Sequence, residues 1–128
     1  MNPTPQQPKA YIPFIATASR KLFAVFVEGN CMEDPDDPQH SIYDGNYVIV
    51  DPQTPATAGD VVLARIDGDY STIKRFFPGK EKIELIPDNP AYSPLVYPKT
   101  RVEIIGKVVY VCADVKSTKE QPPQAENS

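Results

Sequence analysis

The sequence contains no tryptophan, a single histidine (His40) and two cysteines, Cys31 and Cys112. Two widely spaced cysteines do not make a disulfide framework, and no Cys/His spacing of zinc type is present. The chain therefore calls for no metal and no cofactor. No apolar run approaches the roughly 20 residues of a membrane span, and the polar, proline-rich start is not a signal peptide. The default compartment is the cytosol, where both thiols stay reduced. There is also no basic cluster, and the net charge is −4. Phosphate neutralisation dominates nucleic-acid affinity, so direct nucleic-acid binding by this chain is not expected. Glycine is scarce at 6 residues, whereas proline reaches 15. Proline fixes φ and cannot donate to a ladder, which predicts many rigid turns and strand ends.

A length of 128 residues argues for one domain with a core of its own. Residues 1–9 and 116–128 lack apolar periodicity and read as a flexible N-terminal arm and a disordered tail, leaving 10–115 as the domain. Within it lie six β-type segments: Leu22 to Glu28, Tyr47 to Val50, Val61 to Ile66, Tyr70 to Phe77, Lys82 to Ile86 and Val102 to Cys112. Asp67-Gly68-Asp69 reads as a hairpin turn, and Gly106 inside the last segment as a bulge or bend. Asp88 to Pro98 reads as a proline-rich crossing loop, and Glu33 to Tyr43 as an acidic, turn-rich one. Short strands without an amphipathic helix predict an all-β fold, a sandwich or partly open barrel.

Two places could carry chemistry. Cys31 follows a strand on a turn begun by Gly29-Asn30, residues that tolerate the backbone conformations of a sharp turn. Such a turn can hold a nucleophile at the rim of a sheet and aim the following N–H groups at one point. Taken alone, a cysteine beside an apolar strand reads more often as a small buried hydrophobe. Lys74 lies in the segment Tyr70 to Phe77, where alternation puts Tyr70, Thr72, Lys74 and Phe76 on one face. A lysine flanked there by aromatics can be desolvated and act as a base, or it can snorkel to solvent like most surface lysines. Asp34, Asp36 and Asp37 are broken by prolines and read as a solvated loop rather than a cation site. His40 reads as a surface residue and Cys112 as packing at a strand end. Lys107 reads as pointing outward.

The order of motifs adds a resemblance. Val27-Glu28-Gly29-Asn30-Cys31-Met32 is followed by D-G-N-Y-V-I-V-D-P, G-D-V-V-L-A-R-I-D-G-D, I-K-R-F, I-E-L-I-P-D-N-P-A-Y-S-P and I-I-G-K-V-V. From about Phe23 to Val111 the chain resembles the LexA/UmuD/phage CI-repressor family of self-cleaving serine–lysine peptidase domains. Val27-Glu28-Gly29-Asn30 looks more like the phage repressors, and Ala91-Tyr92-Ser93-Pro94 like UmuD. The resemblance implies a LexA-like C-terminal peptidase domain, with Cys31 at the position of the family's serine nucleophile and Lys74 at that of its general base. The N–H groups of Cys31 and Met32 would be the oxyanion donors. It also implies self-association, as a homodimer or larger, with the last strand in the contacts. Its implied partners are a RecA filament that prompts cleavage or, for a UmuD-like protein, a lesion-bypass DNA polymerase.

Two features depart from the family's pattern. A thiol is a stronger acid than an ammonium, about 8.5 against 10.4 in reference pKa, so in water the proton prefers nitrogen, while burial favours the neutral pair. Sulfur is also larger than oxygen. Moreover, the family cleaves itself at an Ala-Gly or Cys-Gly bond upstream of the nucleophile, and here Ala58-Gly59 lies within the domain and neither pair precedes Cys31. The expectation is an oligomerisation and autoproteolysis domain with a Cys–Lys pair in place of Ser–Lys. The alternatives are an endopeptidase acting on a separate protein and a UmuD-like accessory protein.

Overall fold

Each of the six β-type segments forms a strand in the computed structural model, which describes residues 21–113; the expected arm and tail lie outside the described residues. The strands are β1 (Phe23–Phe26), β2 (Tyr47–Asp51), β3 (Val61–Ile66), β4 (Tyr70–Pro78), β5 (Lys82–Ile86), β6 (Leu95–Pro98) and β7 (Val102–Cys112). They make one sheet in the order β1-β2-β7-β3-β4-β5-β6, every neighbouring pair antiparallel. The sheet does not close: β1 and β6 are its two edges.

Alternation along β3 explains how one sheet buries two cores. Leu63 and Val61 join Val27, Met32, Ile42, Val48, Val50 and Ile73 on one side. Val62, Ala64 and Ile66 join Phe76, Ile83 and Leu85 on the other. Val48, Val50, Val62 and Leu85 have no exposed surface at all, and each such side chain contributes about 1.5–3 kcal/mol through burial. Strand β4 is likewise covered on both faces, with Thr72, Ile73, Lys74 and Phe76 all buried.

The turn chemistry follows the sequence. In the β3–β4 hairpin Asp67, Gly68 and Asp69 lie between the paired Ile66 and Tyr70; Asp67 and Gly68 both have positive φ, 56° and 73°, as the centre of a primed β-turn requires, and Asp69 N–H donates to the Ile66 carbonyl at 3.1 Å. Gly106 sits between two register shifts of β7, one against β2 and one against β3. A Cβ there would lie 2.6 Å from Val50 Cγ1 and 2.8 Å from the Asp51 carbonyl oxygen. The bend therefore needs glycine for close backbone approach rather than for a special φ.

One expectation fails. The stretch from Asp88 to Pro98 is not all loop: Leu95–Pro98 is β6, paired with β5 from Leu85↔Leu95 to Lys82↔Pro98. Prolines argue against central strands, but an edge strand needs hydrogen bonds on one side only. Lys107 also departs from expectation: its amine reaches the Asp60 carboxylate at 3.4 Å and its side chain is only one-third exposed.

Candidate active site

The first element of the site is the turn that leaves β1. Gly29 has φ +94°, the left-handed region that favours glycine, and its N–H donates to Asp44 Oδ1 at 2.7 Å. The Glu33 N–H donates to the Asn30 carbonyl at 3.2 Å, closing a turn with Cys31 and Met32 at its centre. Met32 pins the turn: its side chain is buried in the first core, and its sulfur accepts the Asp88 N–H at 3.4 Å. Cys31, next to this anchor, is half-buried with a free thiol.

The second element is β4, which brings Lys74 to that thiol from 43 residues away. Lys74 Nζ donates to Cys31 Sγ at 3.1 Å and to Thr72 Oγ1 at 2.5 Å. The thiol has a second, long contact of 3.9 Å with the Ile73 carbonyl. Lys74 is only 6% exposed, so the snorkelling alternative is excluded. Burying an amine is costly unless it is hydrogen-bonded. Among the described residues its bonding partners are the thiol and the Thr72 hydroxyl, with no carboxylate. Thr72, placed on the lysine's face by alternation, is buried with it, whereas Tyr70 on the same face is 55% exposed.

A cleft of about 370 Å³ opens over the pair. Its walls are the end of β1 with the two residues that follow it, Val25 to Glu28, and the first half of β4, Tyr70 to Lys74, with Leu63 and Met32 also lining it. Since β1 is a sheet edge, this is a place where an extended chain can lie along a strand. Among the described residues neither the Cys31 nor the Met32 N–H is engaged in a hydrogen bond.

The remaining candidates lie elsewhere. His40 pairs with the Asp37 carboxylate at 2.9 Å on a mostly exposed ring. The acidic loop binds its own backbone, Asp34 Oδ1 accepting the Asp36 N–H, and among the described residues no cluster of His, Cys, Asp or Glu is arranged to hold a metal. Cys112 ends β7 opposite Tyr47, where burial pushes its thiol pKa up. No helix among the described residues is long and apolar enough to cross a membrane. Sequence reasoning missed Thr72 as a partner of Lys74, and it missed the segment Asp88–Tyr92, which binds the Cys31 turn. The run Pro87-Asp88-Asn89-Pro90 signals a turn but not what the turn holds.

An unclosed antiparallel sheet that sets a nucleophile-type side chain against a buried lysine amine defines a class of protein, the domains built on the LexA type of peptidase fold. Comparison with known proteins carries the class to a family: the Peptidase S24-like family model matches residues 3–109, and this chain belongs to that family. It is similar to the LexA repressor of Magnetococcus marinus, 41% identical over 96 residues that make up 74% of this chain and 39% of the repressor. It is also similar to the LexA repressors of Brevibacillus brevis, 38% over 100 residues (78% and 45%), and Bifidobacterium adolescentis, 41% over 100 residues (78% and 36%). The chain thus spans less than half the length of these relatives.

Proposed function

We propose that this domain cleaves a peptide bond, as a LexA-like regulatory peptidase, with Cys31 as nucleophile and Lys74 as its proton partner. The observation that carries the reading is the 3.1 Å contact between Lys74 Nζ and Cys31 Sγ, made by a lysine that is buried and has no carboxylate partner among the described residues. A nucleophile within hydrogen-bond reach of its base is the arrangement covalent catalysis needs.

The steps follow from that geometry. The thiol proton passes to the Lys74 amine, and Sγ bonds to the carbonyl carbon of a peptide lying in the cleft. The displaced electron pair moves to the carbonyl oxygen, which the Cys31 and Met32 N–H groups stabilise. As the tetrahedral species collapses, the C–N bond breaks and the Lys74 ammonium protonates the departing amine, leaving a thioester on Cys31. Water then attacks the thioester, giving its proton to Lys74. The carboxylic acid leaves and the thiolate recovers a proton. Thr72 accepts a hydrogen bond from Lys74 throughout and keeps the amine aimed at sulfur.

Incubation with a peptide containing Ala-Gly at alkaline pH tests the reading. The protein and a Cys31→Ser variant should both cleave, with Cys31→Ala inert. Cleavage by the serine form alone would remove Cys31 as a working nucleophile.

Self-association is a second role, favoured by one observation. Phe26, Tyr47 and Tyr110 stand 41–47% exposed on one face of the neighbouring strands β1, β2 and β7, and contiguous apolar surface of this kind marks interaction sites. Sedimentation at rising concentration should show dimers, and a Tyr110→Asp change should weaken them. A monomer at every concentration would refute this role.

A further inference from the structure

We infer that Asn89 is the positioning residue for the oxyanion donors of this site, an inference that rests on the peptidase reading above. Asn89 makes two bonds to the nucleophile turn. Its backbone N–H donates to the Cys31 carbonyl at 3.0 Å, and its side-chain Nδ2 donates to the Asn30 carbonyl at 3.0 Å. These two carbonyls belong to the peptide groups whose N–H ends are those of Met32 and Cys31. Peptides are planar, and the turn has no cis bond, so each N–H points away from its own carbonyl. Holding both carbonyls on the Asn89 side turns both N–H groups towards the opposite side. Among the described residues those two N–H groups have no other engagement.

The residue type is specified as closely as the position. The Asn89 carboxamide uses its oxygen as well, accepting the Ala91 N–H at 2.9 Å. It must therefore donate from one end and accept at the other, which asparagine does and aspartate cannot. Asn30 is also steadied by the Tyr92 hydroxyl, which donates to its Oδ1. Asn89 is itself fixed to the strand that carries the lysine. The preceding Asp88 takes two hydrogen bonds from Arg75, at 3.0 and 2.6 Å, and Arg75 is the next residue after Lys74 on β4. The chain of contacts from β4 through Arg75, Asp88 and Asn89 to Cys31 thus sets the oxyanion donors and the lysine in one frame.

The test separates acyl transfer from simple sulfur reactivity. Acylation of Cys31 by p-nitrophenyl acetate passes through a tetrahedral oxyanion, whereas alkylation by iodoacetamide does not. Both are read at Cys31 by peptide mapping, with Cys112 as internal reference and with no need for peptide cleavage. Asn89→Asp should slow acylation about ten- to a hundredfold, approaching the loss seen when one oxyanion donor is removed, and leave alkylation within about twofold. Asn89→Ala, which removes the side-chain bond without setting a carboxylate against the Asn30 carbonyl, should show a smaller loss of the same kind. On any substrate the domain cleaves, the loss should fall on kcat and not on KM. Equal slowing of acylation and alkylation, or no slowing of either in the two variants, would overturn the assignment. Should the peptidase reading alone be wrong, peptide cleavage would be absent while the acylation contrast persisted.

Discussion

Arg75 grips Asp88 and Arg101 grips Asp67, each through two hydrogen bonds of nearly the same lengths: 3.0 and 2.6 Å in the first pair, 2.8 and 2.6 Å in the second. Their surroundings differ. The side chains of the first pair are 35% and 19% exposed, and those of the second 49% each. The first joins β4 to the segment that holds the Cys31 turn, with Arg75 also donating to the Gly59 carbonyl at 3.0 Å. The second joins the β3–β4 hairpin to the residue before β7, with the guanidinium 5.0 Å from the Tyr97 ring centre. Geometry alone would rank them equal. What a clamp contributes depends instead on how well water and salt screen it and on what it holds in place.

The largest effect should come from the residue beside the first clamp. Lys74→Met should lower cleavage by about 10²–10⁴-fold, the range of a lost general base. The melting temperature should hold, since an apolar chain of similar length fills the buried space without the desolvation of an amine. Asp67→Ala, at the second clamp, should leave cleavage within about twofold. A cleavage loss at Asp67 as large as at Lys74 would erase the distinction between the two regions.

Breaking the first clamp directly sharpens the contrast. Asp88→Ala leaves Arg75, among the described residues, hydrogen-bonded to the Gly59 carbonyl alone and frees the segment that carries Asn89. We expect a stability loss of roughly 1–2 kcal/mol, the scale of a charged hydrogen bond discounted for partial exposure, and cleavage about tenfold slower. Denaturant unfolding and a rate assay on the same sample check both. Asp88→Asn should recover part of each, because the amide oxygen can still accept from the guanidinium.

These joints also mark where the sequence was readable. Strand identity was local information: alternation and β-branched residues disclosed β2, β3, β4, β5 and β7, and Asp67-Gly68 disclosed the hairpin. β6 was hidden because Pro94 and Pro98 look like loop residues until one knows that the strand is an edge. Cys31 and Lys74 were unremarkable singly, and the order of motifs around them drew them out. Thr72 was legible as lying on the lysine's face but not as its partner. Asn89 and the Arg75–Asp88 pair were not legible, because a turn-forming asparagine and an exposed-looking charge carry no sign of what they meet across the fold. Long-range polar contacts depend on tertiary placement, which periodicity does not report.

The smallest effect, and the one that defines the second clamp, is its pH dependence. The hydrogen bonds from Arg101 are the main cause that holds the Asp67 carboxyl below its ordinary pKa, and the same contact raises that of Arg101. A carboxylate with a depressed folded-state pKa binds fewer protons folded than unfolded. It therefore contributes stability above the unfolded value, about 3.9, and loses it as pH falls through the folded one. Asp67→Asn removes the charge at every pH. The melting temperatures of the protein and the variant should differ slightly at pH 7 and converge below about pH 4, and added salt at pH 7 should narrow the same gap. A gap that stayed constant down to strongly acid pH would mean that the exposed pair acts through the shape of the hairpin and its stacking on Tyr97, not through charge.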